Sequence, residues 1–176
     1  YCTMLLGCMG AEVIKVEASE GGDLFRPLLD SSIFISVNFN KRSMTVNLRT
    51  GEGRTILSKL VRDADVFVES FRPGVVEKLG FSYEVASKLN PRIVYCSISG
   101  FGQSGPYREY PSYDPVIQAM CGLMMRTGEA GRPPVRVGSP VIDFGTGLLA
   151  AYGIMLCLLV RERTGVGQRI DASLFD

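Results

Sequence analysis

The spacing of hydrophobic positions changes from segment to segment along this chain and predicts strands that alternate with helices. Ala11–Glu17 alternates apolar and polar residues, as a strand with one solvent-facing side does. Gly51–Asp63 instead repeats its apolar residues at helical spacing, with Leu57 and Val61 on one face. Strands that alternate with helices predict an α/β fold, in which a Rossmann-like, mostly parallel sheet is flanked by helices.

Further elements follow from the same two spacings. Ile33–Phe39 is apolar and fits a helix or a strand equally well, whereas Tyr107–Pro115 holds too much proline for a regular helix. The other predicted helices cover Tyr1–Met9 (closed by Gly10), a turn opened by Pro73, a segment near Tyr83–Leu89, Val116–Arg126 and Asp143–Arg163. The other predicted strands cover Ser43–Leu48, Val66–Glu69, Ile93–Ser99 and Gln168–Leu174.

Composition fits one globular domain with a hydrophobic core. Of the 176 residues, 46% are hydrophobic and 21% charged, and the net charge of +1 leaves no basic surface typical of nucleic-acid binding. The five cysteines show no paired spacing, which favours a reducing, cytoplasmic location. Because the chain has no histidine, imidazole acid–base chemistry, Ser-His and Cys-His catalysis and the commonest metal ligand are excluded. We expect no metal site.

The longest apolar run is Phe144–Val160, which has 17 residues and is bounded by Asp143 and Arg161. A membrane span usually needs about 18 to 20 such residues. We therefore expect a buried helix and no membrane partner.

Asp143 is a single carboxylate between the mostly apolar run Pro134–Ile142 and this helix. A buried ionised carboxylate needs something that stabilises its charge. Aspartate is a preferred N-cap residue, so Asp143 could simply cap the helix that follows. A carboxylate held by helix N–H groups also stays ionised and can act as a covalent nucleophile. From the residues alone, both interpretations stay open.

Basic residues follow two predicted strands, at Arg49 and in the segment from Phe71 through Arg72 to Lys78. Each could be an ordinary solvated side chain. Ligands of open α/β sheets, however, bind outside the carboxyl ends of the strands. A phosphate-bearing ligand is therefore plausible at this edge.

Gly100, Gly102 and Gly105 match the spacing of a dinucleotide-binding loop. That motif requires a helix directly afterwards, and Pro106 and Pro111 argue against one. A glycine loop beside a pocket is the better interpretation. Tyr113 and Asp114 follow, and they either pack and cap the next helix or face the same pocket as Asp143.

Short motifs in a fixed order run through almost the whole chain. They are Gly10–Glu17 (GAEVIKVE), Gly22-Asp23 with Arg26, Asn38–Ser43 (NFNKRS), Asp65–Gly74 (DVFVESFRPG), Leu79-Gly80, Asn90–Tyr95 (NPRIVY), Ser99–Pro106 (SGFGQSGP), Tyr113-Asp114 and Arg163–Gln168 (RTGVGQ). With these motifs the chain resembles the family III CoA-transferases, which include formyl-CoA and carnitine CoA-transferases and have α-methylacyl-CoA racemases as relatives.

The resemblance implies an acyl-CoA:carboxylate CoA-transferase. Asp143 would attack the thioester and form an aspartyl mixed anhydride and then an aspartyl-CoA thioester. Coenzyme A would be a substrate and carrier, with a small carboxylic acid as acceptor and no tightly bound cofactor. The resemblance also implies residue roles: phosphate contacts at Arg49 and Lys78, nucleotide or pantetheine contacts at Ser70, Phe71 and Arg72, and a substrate pocket at Gly100, Gly102, Tyr113 and Asp114.

Two alternatives remain at this point. Racemase relatives carry a histidine where Tyr113 stands, so a racemase would lack one of its two bases here. The chain could also be a CoA-binding or dimerising module without turnover. The resemblance further implies a homodimer. It makes residues 1–176 the N-terminal part of a large CoA-binding domain, with an incomplete sheet and with the small domain and the C-terminal return segment absent.

Overall fold

Five parallel strands and the helices that pack on them confirm the α/β prediction. The computed structural model describes all residues 1–176. The strands are β1 (Val13–Glu17), β2 (Lys41–Thr45), β3 (Val66–Glu69), β4 (Val94–Ser99) and β5 (Arg169–Ser173). β1 pairs with β2, whereas β4 lies between β3 and β5, and every pairing is parallel. The strands thus form two separate parallel sheets, where one was expected.

Eight α-helices connect and cover these sheets. They are α1 (Cys2–Cys8), α2 (Ser32–Asn38), α3 (Gly51–Asp63), α4 (Val75–Lys78), α5 (Tyr83–Leu89), α6 (Asp114–Met120), α7 (Leu123–Arg126) and α8 (Val141–Thr164). A short 3₁₀ segment, Leu28–Ser31, precedes α2. The ambiguous segment Ile33–Phe39 is therefore helical. Helix α1 packs against both β1 and α8, so a helix rather than a backbone ladder links the two sheets.

Strand β4 divides the hydrophobic core into two layers. Its side chains alternate between the faces of the sheet. Val94 and Cys96 pack with Ile154 of α8 on one face, while Tyr95 packs with Phe81 on the other. Because both faces are covered, β4 is almost completely buried. Its sequence (VYCSIS) is accordingly free of charged residues, and its two serines, Ser97 and Ser99, are also buried.

Helix α8 is buried along one face only, so the prediction of a buried helix is half right. Small residues such as Gly147, Ala150 and Ala151 face the core, and they allow α8 to approach α1 and β4 closely. The opposite face exposes large apolar side chains, including Leu149 at 69% and Tyr152 at 63%. By length and composition alone, α8 is apolar enough to cross a membrane.

Two predicted boundaries were wrong around α6. The single helix expected over Val116–Arg126 is broken into α6 and α7 because Gly122 adopts a left-handed conformation with φ of 79°. Helix α6 also begins earlier, at Asp114, since Pro115 is tolerated in a first helical turn.

Strand β2 begins and ends slightly before the predicted Ser43–Leu48.

Replacing Ile154 with alanine tests the packing of α8 on β4. Ile154 has no exposed surface, so we expect Ile154→Ala to lower the free energy of unfolding by about 2 to 5 kcal/mol. Ile56, which is 44% exposed on α3, provides a matched control. Ile56→Ala should change the free energy of unfolding by less than about 0.5 kcal/mol. Urea denaturation of the intact protein measures both. Equal losses of unfolding free energy in the two variants would contradict the packing of Ile154 in the core.

Candidate functional site

The loops that follow β3 and β4 meet and enclose a polar cavity of about 130 Å³. These strands are parallel neighbours, so their carboxyl ends lie at the same edge of the sheet, where α/β folds bind ligands. The lining residues are Ser70, Phe71, Arg72, Pro73, Ser99, Gly100, Arg108, Tyr110, Ser112 and Tyr113. The structure therefore brings together five of the residues singled out from sequence, namely Ser70, Phe71, Arg72, Gly100 and Tyr113.

Glu69 holds the first of these loops. It is the last residue of β3 and is 6% exposed, and its carboxylate accepts the backbone N–H of Phe71 at 2.9 Å. Burial raises the pKa of Glu69 above its ordinary value, while hydrogen bonds from Ser97 and Phe71 oppose the rise. The hydrogen bond from Phe71 to Glu69 therefore holds the start of the loop against the end of β3.

Gly100 allows the second loop to approach its neighbour. A Cβ atom at Gly100 would lie 1.9 Å from the Ser112 hydroxyl oxygen, so any side chain here would force the two segments apart. Gly102 does not line the cavity. Next to it, the backbone N–H of Gln103 donates to Asp171 Oδ2 at 2.8 Å and ties the loop to β5. No helix follows before α6, which agrees with the argument against a dinucleotide motif.

The cavity's positive charge comes from Arg72 and Arg108. Sequence reasoning missed Arg108, which lies in the irregular proline-rich segment and pairs with exposed Glu109 at 3.3 Å. Arg49, in the loop after β2, and Lys78, at the end of α4, are exposed and lie outside the cavity. Of the predicted basic residues, only Arg72 lines the cavity, so these residues do not form one cluster in the structure.

Asp143 lies in the first turn of α8 and does not cap it, so the capping interpretation was wrong. The helix begins at Val141, after Pro140. The earlier start is possible because Asp114 of α6 accepts the backbone N–H groups of Ile142 and Asp143, at 2.8 and 3.1 Å. The expectation that Asp143 is buried was also wrong, since its side chain is exposed.

The Asp143 carboxylate accepts no hydrogen bond from the chain. Neighbouring protein still displaces part of the water around it. This partial desolvation, followed by the negative charge of Asp114, raises the pKa of Asp143 above its ordinary value. The low pKa expected from helix N–H groups is therefore not found, because those groups donate to Asp114 instead.

Asp114 connects Asp143 to the cavity, although its own side chain does not line it. Tyr113, the residue before it, is 72% exposed and lines the cavity. Asp114 itself is 5% exposed, and its carboxylate bonds to α8. The cavity wall and the backbone of Asp143 are thus linked through two consecutive residues. Of the predicted substrate-pocket residues, Gly100 and Tyr113 line the cavity, whereas Gly102 and Asp114 do not.

A second polar cluster, which the sequence reasoning did not identify as a unit, lies at the carboxyl end of β1. Arg26 donates to both carboxylate oxygens of Glu17 at 2.7 Å, and the Ser43 hydroxyl donates to one of them at 2.8 Å. Nearby, Lys15 pairs with Asp23 at 2.6 Å. The hydrogen bond from Arg26, followed by that from Ser43, lowers the pKa of Glu17 to about 2. The residues of this cluster fall in three of the sequence motifs, namely Gly10–Glu17, Gly22-Asp23 with Arg26, and Asn38–Ser43, but the motifs did not show that these residues meet.

Comparison with known proteins places this geometry in a family. The family model for CoA-transferase family III matches residues 1–176. The acetyl-CoA:oxalate CoA-transferase of Acetobacter aceti is 46% identical over 182 residues, which cover 100% of this chain and 47% of the relative. The succinyl-CoA:glutarate CoA-transferase of Mus musculus is 45% identical over 180 residues, which cover 99% of this chain and 41% of the relative.

A solved structure agrees with the fold as well. The crystal structure of a CAIB/BAIF family protein from Brucella suis superposes with a TM-score of 0.95 at 42% sequence identity. The match covers 100% of this chain and 49% of that protein. The chain therefore spans about half the length of the proteins that it matches.

The Glu17 cluster predicts a specific pH dependence of stability. The folded pKa of about 2 lies below the ordinary glutamate value of 4.5, so the stabilisation is complete above about pH 4.5 and is lost as pH falls towards 2. We expect Glu17→Gln to flatten the dependence of unfolding free energy on pH over this range.

Denaturant titrations between pH 2 and 7 measure this effect. Glu52→Gln, which changes an exposed carboxylate on α3, is the control and should leave the slope unchanged. Equal slopes for Glu17→Gln and the unsubstituted protein would contradict the assigned ion pair.

Proposed function

The chain belongs to CoA-transferase family III, and we propose that it carries the nucleophile of an acyl-CoA:carboxylate CoA-transferase, Asp143. The observation that supports this role most directly is the state of the Asp143 carboxylate, which is exposed and accepts no hydrogen bond from the chain. Because no group of the chain donates to its oxygens, they are accessible to the carbonyl carbon of a bound substrate. The chain contains no histidine, so a carboxylate is among the few groups left for covalent catalysis.

The proposed reaction exchanges carboxylate and thiolate groups on acyl carbons. A carboxylate oxygen of Asp143 attacks the thioester carbon, the C–S bond breaks, and coenzyme A leaves as a thiolate. The product is a mixed anhydride between Asp143 and the acyl group. The thiolate then attacks the Asp143 carbonyl carbon, which gives an aspartyl-CoA thioester and releases the donor as a free carboxylate.

The acceptor then runs the same two steps in reverse. Its carboxylate attacks the aspartyl-CoA thioester and forms a second mixed anhydride, and the released thiolate attacks the acceptor's carbonyl carbon. The new acyl-CoA leaves, and Asp143 is again a carboxylate. No step transfers a proton, so no general acid or base is required. If coenzyme A stays bound between steps, each return attack is intramolecular, which can lower the barrier by about 7 kcal/mol or more.

Asp143 itself does not line the cavity. Tyr113, which directly precedes Asp114, does line it, and the cavity supplies groups suited to the anionic parts of these substrates. Arg72 and Arg108 line it, and a guanidinium binds phosphate or carboxylate oxygens in pairs. The exposed ring of Phe71 offers a flat apolar surface next to them. We assign Ser70, Phe71 and Arg72 to coenzyme A. Arg49 and Lys78 lie outside the cavity, and they would contact more distant phosphates of the same ligand.

The acceptor class that we propose is a short dicarboxylic acid. Two of the relatives are named for oxalate and glutarate. A second carboxylate gives such a substrate a charge that stays free while the first one reacts. A cationic side chain of the cavity would then hold this free end.

Two further parts of the proposal concern assembly and location. The exposed apolar face of α8 supports the homodimer inferred from the family resemblance, because a large apolar surface is typically covered by another surface.

The unpaired cysteines support a reducing, cytoplasmic location.

The racemase alternative is less well supported. The relatives are named as CoA-transferases, and Tyr113 stands where a racemase would carry a histidine. A racemase would introduce solvent deuterium at the α-carbon of a branched acyl-CoA. A transferase would exchange acyl groups without that label.

Trapping of the acyl intermediate tests the role of Asp143. Incubating the intact protein with an acyl-CoA and hydroxylamine should convert Asp143 to a hydroxamate, because hydroxylamine attacks activated acyl carbons. Mass spectrometry of the peptide that contains Asp143 measures this product. Asp143→Ala should show no adduct and no CoA transfer, whereas Asp63→Asn, an exposed acid at the end of α3, should behave like the unsubstituted protein. CoA binding with an unmodified Asp143 would instead favour the binding-module alternative.

Replacement of Arg72 tests the assignment of the cavity to coenzyme A. We expect Arg72→Ala to raise the KM for acyl-CoA about tenfold, which corresponds to about 1.4 kcal/mol of lost binding, with a much smaller change in kcat. Arg62→Ala, in the last turn of α3, is the control for general loss of positive charge. An unchanged KM for Arg72→Ala, measured by steady-state kinetics, would remove Arg72 from the site.

A further inference from the structure

Asp114 bonds to the helix that carries Asp143, although it belongs to a different helix. Its Oδ2 atom accepts the backbone N–H of Ile142 at 2.8 Å and that of Asp143 at 3.1 Å. Both donors lie in the first turn of α8, where backbone N–H groups have no partner within the helix. Pro140, the N-cap residue, makes no side-chain capping bond. A residue of α6 therefore supplies the cap that α8 lacks.

A second buried side chain fixes Asp114 in turn. Gln118 lies one turn later on α6 and is 1% exposed. Its amide nitrogen donates to Asp114 Oδ1, and its amide oxygen accepts the backbone N–H of Val137 at 2.9 Å. Val137 lies in the segment that leads into α8. The two side chains thus connect α6, this segment and the first turn of α8.

We propose that Asp114 is a positioning residue for the reaction at Asp143, and that Gln118 holds Asp114 in place. By accepting the two N–H groups, Asp114 fixes the backbone of Asp143 and with it the direction in which the nucleophilic carboxylate leaves the helix. This inference rests on the proposed function, since it assumes that Asp143 is the nucleophile. It also changes the role of Asp114, which the family resemblance had assigned to the substrate pocket.

The pair has an electrostatic consequence that makes the role measurable. The negative charge of Asp114 favours the positive end of α8, and it also opposes a second negative charge on Asp143. Through this charge, Asp114 of α6 adds to the rise in the pKa of Asp143 that partial desolvation causes. Asp114 therefore acts in two separable ways, through its hydrogen bonds and through its charge.

Three variants of the intact protein separate these effects. Asp114→Ala removes the hydrogen bonds and the charge. Asp114→Asn removes the charge and keeps an oxygen for the two N–H groups, but it sets an amide group against the amide nitrogen of Gln118. The double variant Asp114→Asn with Gln118→Glu repairs that clash, because the new carboxylate accepts from both the new amide and the Val137 N–H, and it moves the charge away from Asp143.

We expect Asp114→Ala to reduce kcat for CoA transfer about 100-fold, the scale of a misplaced reacting group, with little change in the KM for acyl-CoA. In Asp114→Asn the pKa of Asp143 should fall, because a neighbouring negative charge is gone, so the acid limb of the kcat–pH profile should move to lower pH. The double variant should regain most of the kcat lost in Asp114→Asn and keep the shifted acid limb. Amide hydrogen exchange at Ile142 and Asp143 should be faster in Asp114→Ala.

The outcomes distinguish this inference from the proposed function. If the unsubstituted protein transfers CoA without an acyl adduct on Asp143, the proposed function fails. If the adduct forms, but Asp114→Ala makes it at the unsubstituted rate, only the positioning role fails. A lowered melting temperature with unchanged kcat and an unmoved acid limb would likewise reduce Asp114 to a structural cap and overturn the inference.

Discussion

The parallel pairing of β4 with both its neighbours is the constraint on which the site depends. Strand β4 is covered on both faces. Helix α8 packs on one face, and Phe81 and the apolar side of α3 pack against Tyr95 of the strand on the other, so its position is fixed. Parallel pairing then places the ends of β3 and β4 at one edge. The loops that leave these ends have to meet there, and they enclose the polar cavity.

The chemistry of the candidate site follows from where the backbone N–H groups of α8 donate. They donate to Asp114 rather than to Asp143, which leaves the Asp143 carboxylate without a hydrogen bond from the chain. Residues 1–176 contain no histidine, and a carboxylate would serve as nucleophile in the proposed acyl exchange without a neighbouring base. Partial desolvation, followed by the negative charge of Asp114, keeps the pKa of Asp143 above its ordinary value.

Local pattern was enough to predict most of the elements but not the contacts between them. Strand β4 and helix α3 were predictable, because apolar spacing reports burial directly. The break at Gly122 was missed, because the presence of a glycine does not by itself predict a positive φ. The role of Asp114 could not be predicted from spacing either, because its partner Ile142 lies 28 residues away. Likewise, Arg108 enters the cavity through an irregular loop that has no periodicity.

Oxygen transfer from the acceptor tests the central claim, that Asp143 carries the acyl group, most directly. An acceptor acid labelled with ¹⁸O in its carboxylates should leave one ¹⁸O atom in the Asp143 side chain after turnover, because the acceptor's oxygen becomes the bridge of the second anhydride and stays on Asp143 when the thiolate attacks. Mass spectrometry of the Asp143 peptide measures this label. Label found only in the released donor acid, with none in Asp143, would show that donor and acceptor react directly and would contradict the account.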